Sequence, residues 1–169
     1  MGRAAELARS LSAYALDAQN NWFCPLSEAL KGLSAARAAW TPAPDQNSIW
    51  SILNHIRIES QVALLHLRRQ PVDYAALGGS DGWPPAGSAA DEAAWQEACR
   101  LTLGLQSELA HTVAPLTDAD LAEPVKGWPT REQWLQGLVN HTSYHTGQIV
   151  FLRRLQGSWQ PLQWLPPQG

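Results

Sequence analysis

The sequence predicts an all-α protein built as a four-helix bundle, and three observations carry that prediction. Apolar residues recur at three- and four-residue spacing in four segments, and no stretch shows the alternation of β-branched residues that a strand requires. Pro71, Pro115 and Gly157 mark where three of those segments stop. With 169 residues, one domain over residues 1–169 is the simplest organisation, long enough to bury a core without disulfide staples.

The first predicted helix spans about Arg3 to Leu33, with Leu7, Leu11, Tyr14, Leu16, Trp22, Phe23, Leu26 and Leu30 along its stripe. Pro25 lies inside it, where a missing N–H and a crowded preceding turn predict a kink. The second spans about Ser48 to Arg69: Ser48 is placed to cap it, and Ile49, Ile52, Leu53, Ile56, Val62, Leu65 and Leu67 form the stripe. The third follows Ser88, read as an N-cap with Asp91 three residues on, and runs through Trp95, Leu101, Leu105 and Leu109 to about Val113. The fourth opens with Thr130 and Gln133 as a capping-box pair and runs to Gly157.

Between the second and third helices, the stretch from Gln70 to Gly87 holds seven prolines and glycines and reads as free of helix. At about 3.3 Å per residue it is long enough to return along a whole helix. That length permits, without requiring, a crossover between parallel second and third helices.

Charge and composition narrow the function. A formal net charge of −3 argues against a dedicated nucleic-acid binder, and the pairs Arg68–Arg69 and Arg153–Arg154 read as solvated helix ends. No apolar run reaches the ~18 residues of a membrane span, and the N-terminus lacks a secretory layout. Cys24 and Cys99, both placed in helical stretches, form no C-x-x-C pattern, so a reducing cytoplasm is expected. Of nine tryptophans, Trp40, Trp83, Trp128, Trp159 and Trp164 stand within three residues of a following proline. Such stiff, bulky stretches suit loops folded over bundle ends or the rim of a pocket.

The chemistry concentrates in histidine. His141 and His145 are four residues apart, so one helix presents both on one face, the geometry of H-x-x-x-H metal helices. The same spacing also suits two half-buried imidazoles bonded to backbone or water. His55 sits in the middle of the second helix's apolar stripe, where two ring nitrogens must find partners away from water. A shared ion satisfies one nitrogen of each of three such residues, as in other bundles. His66, eleven residues beyond His55, lies about 16 Å further along the axis and cannot serve the same ion. His111, near the end of the third helix, fits as a cation at the negative end of the dipole. The residues alone leave the three-histidine site and its ordinary alternative both open.

Two stretches resemble a known family. "WTPAPDQNSIWSILNHI" (Trp40 to Ile56) and "NHTSYHTGQIVFLRRL" (Asn140 to Leu155) are similar to the DinB-like (YfiT-like) four-helix-bundle metalloproteins. That pattern has one histidine in the second helix and an H-x-x-x-H-x-G-Q-I/L motif in the last, falling here on His55, His141 and His145 with Gly147, Gln148 and Ile149. The resemblance implies an up-down-down-up bundle with a long crossover between helices 2 and 3, a divalent metal on the three histidines, and a homodimer. Three imidazoles suit zinc or nickel, with iron or manganese as other candidates, and leave a coordination position for water or substrate. The resemblance further implies a metal-dependent enzyme of the thiol-dependent S-transferase or hydrolase type, with a low-molecular-weight thiol as co-substrate and a small electrophile as substrate. The alternative is a non-catalytic metal-binding stress-response bundle that acts as a dimeric interaction module. Glu59, one turn beyond His55, is the candidate general base, against the ordinary reading of a solvated surface carboxylate. Asn54, Asn140, Tyr144 and Gln148 neighbour the ligands; Tyr144 is expected to pack on another helix and Gly147 to allow a close helix approach.

Overall fold

Residues 2–17, 23–77, 83–125 and 127–159 are described by the computed structural model, and their regular structure is helical apart from one isolated bridge between Val125 and Trp128. The helices are α1 (Arg3–Ala15), α2 (Leu26–Leu30), α3 (Ala35–Ala39), α4 (Ile49–Leu67), α5 (Tyr74–Leu77), α6 (Glu92–Val113), α7 (Asp118–Ala122) and α8 (Arg131–Leu155). The four long ones, α1, α4, α6 and α8, make the bundle. The readings of Trp22, Gly78, Gly79, Gly82 and Trp164 lie outside the described residues.

Local chemistry sets the boundaries. Ser48 accepts the Ser51 N–H at 3.1 Å and Thr130 accepts the Gln133 N–H at 3.2 Å, so α4 and α8 start at the expected caps. Helix α8 stops at Gly157, whose φ of 64° most side chains resist. The cap of α6 differs from expectation. Asp91, not Ser88, accepts the Ala94 N–H at 2.9 Å, because Ser88 and the two alanines after it form a preceding turn.

The first predicted helix, Arg3 to Leu33, is two separate helices, α1 and α2. Pro25 starts α2 as its N-cap residue instead of kinking a continuous helix, consistent with its lack of an N–H and the extended conformation it favours before it. Cys24 therefore lies in a connection, not in a helix. Ser34 then caps the separate α3. The stretch read as free of helix holds the single turn α5, whose Ala76 N–H bonds Asp73 Oδ1 at 3.1 Å. Helix α7 was not expected at all, although Thr117 and Asp120 form a complete capping box at its start.

Side-chain pairs order the helices. Trp50 meets Trp95 edge-on, Ser60 meets Gln106, and Arg68 pairs with Glu108, a series that ascends on α4 and α6 together, as parallel neighbours require. Against α8 the series descends: His66 faces Trp134, while His55 faces His141 and His145. Gly87, on the approach to α6, leaves room for the Trp50 ring, which a Cβ would meet at 2.5 Å. Arg153 is buried, not a solvated helix end, and donates to the carbonyls of Ala29, Lys31 and Ser158. Those bonds hold the end of α8 against α2.

The core has two apolar clusters. One gathers Leu26, Leu30, Ile49, Trp50, Leu53, Trp95, Ile149 and Leu152; the other gathers Leu7, Leu11, Leu64, Leu109, Val113, Leu135 and Leu138. Where the two clusters meet, beside the buried Ile58 and Val62 of α4, each bundle helix that crosses both carries buried polar residues. These are His55 and Ser60 on α4, Thr102 and Gln106 on α6, and Thr142, His145 and Thr146 on α8. A polar layer therefore divides the bundle, and the candidate site lies within it.

Candidate metal centre

Each histidine reaches the layer for a local reason. His55 holds a core position of α4 between Leu53 and Ile56 and is 8% exposed. On α8, His141 and His145 stack one turn apart, the first half-buried and the second 5% exposed. Because α4 and α8 descend past one another, the three rings converge. His141 Nε2 lies 2.9 Å from His55 Nε2 and 3.0 Å from His145 Nε2. One ligand nitrogen from each residue falls within 4.8 Å of the others, so these three histidines are placed to hold a metal ion.

Hydrogen bonding prepares the nitrogens. Gln148 Oε1 stands 2.6 Å from His145 Nδ1, and an amide oxygen can only accept, so Nδ1 carries the proton and Nε2 turns a lone pair inward. Burial first, and then the neighbouring His145 and His55, pull the His141 imidazolium down to about 4 from its ordinary 6.5. Burial lowers His145 too, partly offset by its bond to Gln148. Both rings are therefore neutral at neutral pH, the state in which imidazole binds metal.

The donor set fits a divalent transition ion. Histidine nitrogens about 2.0–2.1 Å from a common ion stand roughly 3–3.5 Å apart, and the two measured edges lie near that range. Protons alone serve this cluster poorly: His141 Nε2 faces two ring nitrogens, and a single N–H satisfies only one such contact.

Trp83 covers the centre. Its ring stacks on His55 with centroids 4.0 Å apart and planes 5° from parallel, and it meets His145 edge-on at 5.5 Å. A tryptophan at the rim of a pocket was one of two readings of the Trp-Pro stretches. Trp40 and Trp128 instead keep to the other, half-exposed at the ends of α3 and before α8, with Trp128 against Gly137. The contact of Trp83 with His55 joins residues 28 apart, and no periodic pattern encodes it.

Other expected neighbours divide. Gln148 faces inward; Asn54 turns away to donate to the Pro85 carbonyl at 3.0 Å, and Asn140 is exposed on the Gln136 side. Tyr144 does not pack on another helix: it is 65% exposed and touches His145 edge-on. An added Cβ at Gly147 meets nothing within 4 Å, so no helix approaches closely there; the residue lines an open groove with Phe23, Cys24 and Phe151. Glu59 is half-buried, outside the cluster of convergent ligand atoms, and makes no hydrogen bond or ion pair among the described residues. His66 packs against Trp134 and His111 is exposed in the last turn of α6, both remote from the centre. Burial raises the Cys24 thiol to about 11 and the Cys99 thiol to about 12, so neither is a thiolate at neutral pH.

Comparison with known proteins agrees with this geometry. No curated protein and no solved structure matches the chain. The family profile described as the DinB superfamily matches residues 25–149, a span that includes all three histidines. The chain belongs to the DinB superfamily.

Proposed function

We propose that the chain binds a divalent transition metal through His55, His141 and His145 and uses it as an enzyme of the thiol-dependent S-transferase or hydrolase type. The observation that carries this reading is the convergence of three Nε2 atoms, two of the pairs at 2.9 and 3.0 Å. Zinc and nickel suit three neutral imidazoles best, with iron and manganese as weaker candidates. When bound, such an ion supplies Lewis acidity that keeps a small thiol or a water deprotonated near neutral pH.

The chain's own residues supply the rest. Gln148 fixes the His145 tautomer, and Trp83 covers one face of the His55 ring. Glu59, one turn from His55 and unpaired among the described residues, is the proposed proton acceptor, reaching the reacting group through a water. The raised thiols of Cys24 and Cys99 favour an external low-molecular-weight thiol as nucleophile over either cysteine. A reducing cytoplasm suits that chemistry, and no described helix is long and apolar enough to cross a membrane.

A second reading is favoured by one observation. Tyr144, Phe151 and Leu155 are exposed on α8, near the exposed Phe23. That face suits a homodimer in which the chain is a metal-binding interaction module without turnover. Metal analysis of protein made without a histidine tag, followed by thiol-transfer and ester-hydrolysis assays, separates the two. The enzymatic reading predicts a stoichiometric metal and a turnover that His55→Ala abolishes. Tight metal binding with no turnover across a broad panel supports the interaction module instead.

A further inference from the structure

Among the described residues, three buried side-chain polar atoms find no hydrogen-bond partner: Gln106 Oε1, His141 Nδ1 and Arg153 Nε. Two of these belong to the polar layer, and their chemistry is complementary. With Nε2 aimed at the centre, the Nδ1 of His141 carries its proton and must donate; an amide oxygen must accept. Buried groups of this kind are costly to leave unpaired.

The amide of Gln106 is not free to turn over. Gln106 is 0% exposed, and its Nε2 donates to Ser60 Oγ at 2.7 Å. The Ser60 hydroxyl spends its own proton on the Ile56 carbonyl at 2.7 Å, so toward Gln106 it can only accept. That chain of bonds requires the NH2 of Gln106 at Ser60 and commits Oε1 to the opposite side.

The register of the helices brings Ser60, and with it Gln106, to about the level of His141. Ser60 lies five residues beyond His55 on α4, and α8 descends past α4, so the Ser60 level corresponds to the stretch between Leu138 and His141. The Cα–Cβ bond of His141 tilts toward the start of α8, which is the same direction. Neither has a direct partner among the described residues, and a water, with two donors and two acceptors, is the group that can complete both.

We propose that Gln106 is a positioning residue for the metal centre: through a buried water it accepts the His141 Nδ1 proton, which fixes the tautomer and aim of that ring. Helix α6 contributes no histidine to the cluster, and this contact couples it to the site. The inference rests on the proposed metal reading, since it concerns how a ligand to that metal is held. Metal-bound histidines commonly donate their second N–H to a carboxylate, carbonyl or water, and losing that partner weakens binding about 10–100-fold.

The test is zinc affinity of untagged, metal-stripped protein, measured by chelator competition for the wild type, Gln106→Leu and Gln106→Glu. Each is paired with the melting temperature of its metal-free form. Gln106→Leu is expected to weaken zinc by about 10–100-fold, and the melting temperature of its metal-free form reads separately what the lost Ser60 bond costs. Gln106→Glu keeps an acceptor and is expected to stay within a few-fold of wild type. Nitrogen-15 NMR of the zinc-loaded wild type gives an answer that does not depend on any variant folding: the inference expects an exchange-protected His141 Nδ1–H. A folded Gln106→Leu protein with wild-type zinc affinity, or a His141 bound to zinc through Nδ1, overturns the inference and leaves the metal reading standing. A wild type that binds no zinc, nickel, iron or manganese overturns the metal reading itself.

Discussion

The two apolar clusters and the polar layer between them solve opposite problems with the same four helices. In the clusters, Leu53, Leu109, Leu135 and Ile149 exclude water and ask only for volume. In the layer, the same helix faces carry histidine, serine, threonine and glutamine, each needing a specific partner. At Thr102, Thr146 and Ser60 the hydroxyl donates to the carbonyl four residues back, and Ser60 also accepts from Gln106. The comparison teaches that stability is concentrated at the two ends so that a polar, partly unsatisfied slab can persist between them.

Substitutions sharpen that contrast. The largest stability effect is expected in a cluster. Trp95 is buried, packs edge-on to Trp50 and donates from its indole to the Leu33 carbonyl at 2.8 Å. Trp95→Ala should cost about 3–5 kcal/mol by denaturant titration, mostly as a cavity. Removing a ligand should do the reverse: His55→Ala loses the metal and leaves the metal-free melting temperature little changed.

Acid should act on the layer before the clusters. His141 is held near 4 in the folded chain against 6.5 when unfolded, so between those values the unfolded chain binds more protons. For this group, metal-free stability is complete above about 6.5 and is lost as pH falls toward 4. A melting temperature followed from pH 7 to 4 should decline more steeply in wild type than in His141→Asn. Equal slopes would show that His141 does not titrate as a buried neutral ring.

The smallest effect is expected at Gly147, two residues beyond His145 but facing the open groove. A Cβ there meets nothing within 4 Å, so Gly147→Ala should stabilise the chain by roughly 0.5–1 kcal/mol through helix propensity, with metal affinity unchanged. A fall in metal affinity would mean that this turn must flex for the centre to form.

Legibility in the sequence followed the range of the interaction. His141 and His145 were visible because one helix sets their spacing, and His55 because a lone imidazole interrupts an apolar stripe. Ser48 and Thr130 were legible as caps for the same local reason. Pro25 was misread because a proline inside a periodic pattern signals either a kink or a start, and only the packing of α2 on α8 decides. Trp83 escaped assignment to the centre because no helical period links it to His55. The polar layer did leave a trace: Thr102 and Gln106, like Thr142 and Thr146, repeat at four-residue spacing on core-facing positions. That pattern marks a buried polar site without saying what it binds.

X-ray absorption at the metal edge, on untagged protein loaded with one equivalent of zinc, addresses the centre most directly. The account predicts three imidazole nitrogens at about 2.0–2.1 Å plus a lighter exchangeable ligand, with imidazole scattering reduced in His55→Ala. A shell holding fewer than three imidazoles, or one unaltered by that substitution, would contradict it.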